Sequence, residues 1–385
     1  MENFYYSIPT RVYFGKGQLS HLGQVTREYG SRVLLVYGGG SIKKNGLYAK
    51  VMDQLTGLSV TELSGVAPNP RIDSVREGVK LCRDWDVDVV VAVGGGSVTD
   101  CAKVVAAGVN YNGDPWDLVV DPSKVRKVLP VICVLTLSAT GTEMDPFAVI
   151  TNPETEDKLG TSAEGMKPVA SFLDPEYTFS VSQRQTAAGT ADIMSHTLET
   201  YFNNTPGADI QAGFAETILR TCIKYGPVAY KEPDNYDARA NLMWCSSLAI
   251  NGLLKLGCPI PWCVHPMEHE LSAYYDITHG VGLAILTPAW MEYVLNDQTV
   301  DKFVQYGVNV WGIDRNLDKF EIAHKAIDAT RNFFKELDIP STLSEVGIGE
   351  EKLELMAKKA ASHDLENAFW PLKAEDVLNI YRACL

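Results

Sequence analysis

Three of the chain's seven histidines fall inside one short stretch, VHPMEHELSAYYDITHG, Val264 to Gly280. His265 and His269 stand four residues apart, a spacing that on a helix brings both imidazoles to one face. His279 follows after a short break and precedes a glycine. About seventy residues earlier, in AAGTADIMSHTLETYF, Asp192 and His196 repeat the four-residue spacing. One carboxylate with several imidazoles is a donor set for Fe²⁺, Zn²⁺, Co²⁺ or Mn²⁺, and ligand type alone does not choose among them. Helical domains build such centres from side chains on facing helices. Read literally, His265-Pro266-Met267-Glu268-His269 also matches the HxxEH arrangement of zinc peptidases, in which the glutamate activates water. That pattern gives no part to Asp192 or His196.

A second kind of chemistry is written in glycine. RVLLVYGGGS (Arg32 to Ser41) is a β-branched run ending in Gly38, Gly39 and Gly40, and IKKNGLYAKVMDQL after it has helical spacing. DVDVVVAVGGGS (Asp86 to Ser97) repeats the grammar and leads into VTDCAKVVAAG. Where a parallel strand gives way to a helix, unpaired N–H groups and the positive end of the helix dipole point at one place, and residues without side chains let a pyrophosphate approach. Gly94, Gly95, Gly96 and Ser97 meet that description. Neither turn is a GxGxxG, so a dinucleotide bound here belongs to a less common class of site.

The elements that must position these residues divide the chain. Over roughly the first 180 residues, short apolar runs alternate with amphipathic stretches, as in a parallel sheet flanked by helices. A third strand, VLPVICVLTLSATGTE, ends in small hydroxylated residues. From about Gln183, stretches such as AETILRTCIKYGPVAY and NYDARANLMWCSSLAINGLLKLG carry helix-period apolar residues, and strand-like runs nearly vanish. The expected architecture is an N-terminal α/β dinucleotide-binding domain, Rossmann-like with a parallel sheet, over 1–180. An all-helical C-terminal domain over 181–385 would carry the metal and the substrate, with the two joined near FLDPEYTFSVS.

Composition removes other classes. With 385 residues and a 46% apolar fraction the chain has ample core for two domains. A net charge of −14 gives no attraction to nucleic acid or anionic lipid. No run of eighteen apolar residues and no basic stretch followed by an apolar region is present, so the expectation is a cytoplasmic protein without a membrane anchor. Eight scattered cysteines without a CxxC pair read as reduced core thiols.

The string Gly189-x-x-Asp192-x-x-x-His196, followed by His265-x-x-x-His269 and His279-Gly280, resembles the signature of the iron-containing alcohol dehydrogenases. The likeness covers almost the whole chain: IPTRVYFGKG resembles that family's opening strand, GGGSVTDCAK its pyrophosphate turn, and LSATGTEM its nicotinamide-side loop. YGGGSIKKNG and HELSAYYDITHG look most like its butanol dehydrogenase and broad-specificity aldehyde reductase branch, with an architecture like that of dehydroquinate synthase. The resemblance implies Asp192, His196, His265 and His279 as ligands of one divalent metal, iron first and zinc second. It leaves His269 beside the metal as a non-ligand that passes a proton. It further implies pyrophosphate contacts from Gly95, Gly96 and Ser97, ribose or nicotinamide contacts from Asp100, Thr136, Thr140 and Lys158, small aliphatic alcohols and aldehydes as substrates, and a symmetric homodimer. The apolar NFYYSIPTRVYFG would then pair with a partner's edge strand.

Sites that prefer NAD usually end the relevant strand with an acid for the ribose 2′-hydroxyl. Gly38 stands there, and with Gly39, Ser41, Lys43 and Lys44 the turn is neutral to basic, which predicts a preference for NADP(H). Asp145 departs from the asparagine expected by resemblance; a carboxylate cannot donate as an amide does, and an acid near the reacting centre would disfavour anionic substrates. The related lyase dehydroquinate synthase is the alternative activity, but it needs many basic residues for a phosphorylated substrate where this chain offers AWMEY, YYD and PIPW. His21, His324 and His363 read as surface or satisfied core groups. Among the tryptophans Trp262 is the one to test, three residues before His265.

Overall fold

A computed structural model describes all 385 residues, and the chain divides into two compact units. One comprises Ser7–Val181 with Pro233–Met243, the other Met1–Tyr6, Ser182–Glu232 and Trp244–Leu385. The first six residues thus pack with the helical unit, and 233–243 with the α/β unit, across the boundary expected at residue 180.

The α/β unit is built on a six-stranded sheet formed by β1 (Arg11–Phe14), β2 (Arg32–Tyr37), β3 (Ser59–Leu63), β4 (Val89–Gly94), β5 (Val131–Leu135) and a last strand, Ala170–Leu173. The order is β1, Ala170–Leu173, β5, β4, β2, β3, and every pairing is parallel. The central strands β4 and β5 are buried along their whole length, which is why they read as continuous Val and Ile runs rather than alternating ones. Register places Gly94 beside Leu135 and Tyr37 beside Val93, so both glycine turns and the loop after β5 leave the sheet at the same, carboxyl-terminal end. Ligands of open parallel sheets bind outside that end. The second glycine turn opens directly into the helix Gly96–Gly108, whose small residues are buried almost throughout and let it lie close on the sheet.

Two local features depart from the pattern reading. The stretch after the first glycine turn is two helices, Ser41–Lys44 and Leu47–Gln54, because Gly46 between them adopts φ 82°. A separate antiparallel hairpin, β6 (Phe147–Asn152) with β7 (Asp157–Ser162), follows the loop after β5. Taking it as an element, Ala170–Leu173 is β8.

In the helical unit the helix Gln183–Tyr201 is nearly all buried, and its N-terminus is capped by the Ser182 hydroxyl, which accepts from the N–H of Gln185 at 3.3 Å. The helix His279–Val294 packs against it, and Val264–Tyr275 packs against His279–Val294. The helix Tyr236–Ile250 stops short of its apolar pattern: Gly252, at φ 95°, turns the chain into the single 3₁₀ turn Leu253–Lys255. All eight cysteines are buried and none is in a disulfide. No helix is long and apolar enough to cross a membrane.

Candidate metal centre and dinucleotide turns

Helix geometry sets one carboxylate at the middle of the histidine cluster. Asp192 and His196 sit one turn apart on Gln183–Tyr201, and Glu199 follows on the same face. His265 lies in the first turn of Val264–Tyr275, and His279 is the first residue of its own helix. Asp192 Oδ1 lies 3.6 Å from His196 Nε2, 4.0 Å from His265 Nε2 and 3.8 Å from His279 Nε2. The donors of Asp192, His265 and His279 all fall within 4.8 Å of one another. The His196 ring stacks on that of His265, with centroids 4.6 Å apart. All four residues expected as ligands are brought together, and His269 stands beside them, its ring 5.6 Å from His279 and 6.2 Å from His265.

Two glutamates hold these rings. Glu199 Oε1 is hydrogen-bonded to His265 Nδ1, and Glu268 Oε2 to His279 Nδ1. A carboxylate at Nδ1 fixes the proton there and leaves Nε2 with its lone pair toward Asp192, the arrangement that orients metal-binding histidines. Glu199 also accepts from the N–H groups of Cys263 at 2.5 Å, Val264 at 2.8 Å and His265 at 3.2 Å. It thereby satisfies the N-terminus of the helix that carries His265. Burial pushes the Glu199 carboxyl up, but His265 and those N–H groups outweigh it and hold it below the usual carboxylate range. Burial, with His265 and His279 nearby, holds His196 well below the ordinary histidine value, so it is neutral, as a ligand must be. The Nε2 of His265 is buried with no hydrogen-bond partner. A buried nitrogen of this kind is costly unless something accepts its lone pair. The donor set therefore fits a divalent transition metal.

The glycines after His279 make the convergence of these helices sterically feasible. A Cβ on Gly280 would lie 2.0 Å from the carbonyl oxygen of Ala188, so only glycine lets this helix start against the backbone of Gln183–Tyr201. A Cβ on Gly282 would lie 2.8 Å from Glu268 Cγ. The structure also gives the glutamate of the HxxEH pattern other partners. Glu268 is wholly buried, bonded to His279 and to the hydroxyl of Ser272, and so is not placed to activate water.

In the α/β unit, Gly95 and Gly96 are walled on one side: added Cβ atoms would lie 3.1 Å from Leu137 Cβ and 2.6 Å from Thr140 Oγ1. Thr136 donates its N–H to the Gly94 carbonyl at 2.9 Å. The turn Gly94–Ser97 and the loop carrying Thr136 and Thr140 are thus in contact, and the helix Gly96–Gly108 offers its N-terminus there, a cradle suited to a pyrophosphate. Asp100 and Lys158 are buried, and Asp100 already accepts from Thr142 Oγ1 at 2.7 Å and from the N–H of Val149 at 2.9 Å. Its carboxylate is engaged in joining helix, loop and hairpin. At the first turn, Gly38 lies close under the Val66 carbonyl, while Gly39 is open. Lys43 rests over the rings of Tyr37 and Tyr48, at 4.8 and 4.6 Å, and both phenols donate to Glu62 on β3.

Asp145 finds a partner that was not anticipated. Lys103 is fully buried and donates to Asp145 Oδ1 at 2.9 Å, to the Asp145 carbonyl at 2.9 Å and to the Phe147 carbonyl at 2.7 Å. The acid that replaces the expected amide is buried beside a cation, so it is not displayed to a substrate. Burial still pushes its carboxyl up to about 6.

Two family models divide the chain between them. "Iron-containing alcohol dehydrogenase" matches residues 9–175, and "Fe-containing alcohol dehydrogenase family, C-terminal" matches 186–385. The chain belongs to the iron-containing alcohol dehydrogenase family. Within this family it is 61% identical to NADH-dependent butanol dehydrogenase A of Clostridium acetobutylicum, over 99% of both chains. It is 42% identical to the NADPH-dependent aldehyde reductase YqhD of Escherichia coli, over 95% of this chain and 94% of that one. The crystal structure of a Thermotoga maritima protein described as NADH-dependent butanol dehydrogenase A superimposes with a TM-score of 0.95 at 39% identity, covering 100% of this chain and 99% of that one. These relatives put the chain in the butanol dehydrogenase and aldehyde reductase branch. Sequence reasoning had not assigned Glu199 to the centre, or Glu268 to the orientation of His279. The signal for Glu199 was its position, one further turn along the face that carries Asp192 and His196.

Proposed function

We propose that the chain is an NAD(P)-dependent alcohol dehydrogenase and aldehyde reductase that moves hydride between a nicotinamide and small aliphatic alcohols or aldehydes. The observation that carries the reading is the set of three Nε2 atoms around Asp192 Oδ1, two of whose rings are held by carboxylates. Asp192, His196, His265 and His279 would hold one divalent metal, iron first and zinc second. When bound, such an ion supplies Lewis-acid stabilisation of the substrate oxygen as hydride leaves or arrives at its carbon. Glu199 and Glu268 keep two of the rings turned toward Asp192. His269, next to the cluster, carries the proton that oxygen gains or loses. Gly94, Gly95, Gly96 and Ser97 would seat the pyrophosphate, with Thr136, Thr140, Asp100 and Lys158 serving the ribose or nicotinamide directly or by fixing the loop.

The test of these roles is paired. His265→Ala should lose bound metal, whereas His269→Ala should keep it and turn over more slowly, as read by elemental analysis and kcat for butanal. Full metal content in the first variant would refute the ligand assignment.

For the cofactor we favour NADP(H) over NAD(H), because no acid follows β2 and Gly38, Gly39 and Ser41 leave room for a 2′-phosphate. The name of the E. coli aldehyde reductase is in line with this reading, while relatives at 61% and 57% identity are named NADH-dependent and Lys43 is held by two tyrosines. A kcat/KM ratio that favours NADPH is expected, and one that favours NADH rejects the preference. We also infer a cytoplasmic homodimer. The free edge of β1 and the exposed Phe4, Tyr5 and Tyr6 support the dimer, and sedimentation as a monomer would exclude it.

A further inference from the structure

Lys255 stands apart from the groups that build the metal centre. It ends the 3₁₀ turn that Gly252 creates, and it is partly buried, with its ammonium 3.9 Å from the centroid of the Trp262 ring. Trp262 in turn leans on the proposed ligands, its ring 4.7 Å from His265 and 5.5 Å from His196. No carboxylate pairs with the ammonium. The one acid whose field it feels is Glu199, and the oxygens of Glu199 are taken by His265 and three backbone N–H groups. Burial lowers Lys255 to about 8, and its charge is felt at His196.

A cation without a counter-ion beside a site built for a divalent metal is an unfavourable placement for a merely structural lysine. The aromatic face offsets part of the cost but supplies no negative charge. An anion delivered with the substrate would supply it, and a charged hydrogen bond formed only with the right substrate is how a site discriminates between neutral and charged analogues. Asp145, the acid that would have opposed such substrates, is buried against Lys103.

We propose that Lys255, held on Trp262, is a specificity-determining residue that binds a carboxylate at the far end of the substrate, so that the enzyme accepts short aldehydes and alcohols carrying a terminal carboxylate. This rests on the reading of the Asp192 cluster as the reacting centre. The probe pair is 4-oxobutanoate and its neutral isostere 4-methylpentanal, with their one-carbon-longer homologues, assayed on the metal-loaded enzyme with its preferred nicotinamide.

In Lys255→Met the ratio of kcat/KM for 4-oxobutanoate over 4-methylpentanal should fall about tenfold, through KM, and Lys255→Arg should restore most of it. Turnover of 4-methylpentanal reports that each variant is folded. Without nicotinamide, calorimetric binding of 4-hydroxybutanoate should weaken about tenfold in Lys255→Met, with binding of 4-methylpentan-1-ol little altered. An unchanged ratio and unchanged binding in a variant that still reduces 4-methylpentanal would overturn the proposal and leave the activity standing. Failure of the unaltered enzyme to reduce either aldehyde would overturn the activity itself, and the proposal with it.

Discussion

Glu199 shows how much one buried carboxylate can organise. It fixes the proton of His265 on Nδ1, satisfies three N–H groups at a helix start, and does so from the helix that carries Asp192 and His196. Replacing it with glutamine keeps the shape but removes the charge that raises His265 against the effect of burial. Glu199→Gln should weaken metal binding by about 10- to 100-fold, measured by competition with a chromophoric chelator, and unchanged affinity would show that the ring orients itself. The gathering of Asp192, His196, His265 and His279 was legible in the sequence because metal chemistry selects few residue types and the helix sets their spacing. Glu199 was not, since a lone glutamate on a helix has many ordinary uses until its neighbours are known. Asp145 was visible as a departure, but its reason was not: Lys103 lies forty-two positions away, and the pairing depends on how the hairpin β6–β7 folds back on the helix Gly96–Gly108.

Glycines decide where the elements can meet. The alternation of apolar runs and helical stretches was enough to foresee a parallel sheet, because fully buried strands admit little except Val, Ile, Leu and Ala. Breaks within helices were harder to foresee. Gly46 and Gly252 each sit inside a continuous apolar period, and only their positive φ shows that the helix stops there. Gly280 has the opposite role, permitting contact rather than a turn. In Gly280→Ala the new methyl would overlap the Ala188 carbonyl, so the start of the His279 helix must move away from Asp192. The variant should lose most of its bound metal while far-ultraviolet circular dichroism still reports a helical protein. Full metal retention would mean that the helix can shift without moving His279. At Gly94–Ser97 Thr140 walls the turn on one side, and a Cβ on Gly96 would lie 2.6 Å from Thr140 Oγ1.

At the scale of the whole molecule, the chain assigns its two chemistries to different kinds of structure. A parallel sheet provides the strand-end turns, with helix N-termini and bare backbone available to phosphate oxygens. A helical unit provides a buried cluster in which each donor comes from a rigid element and two are fixed from behind by carboxylates. The two family models match 9–175 and 186–385, one on each part of the chain. The proposed reaction depends on the Asp192 cluster holding a metal that hydride transfer requires. The direct measurement is the rate of butanal reduction as Fe²⁺ is titrated under anaerobic conditions into chelator-stripped protein with saturating nicotinamide. The rate should rise from near zero and level off at about one equivalent per chain. Metal-free protein as active as the loaded form would contradict the account at its centre.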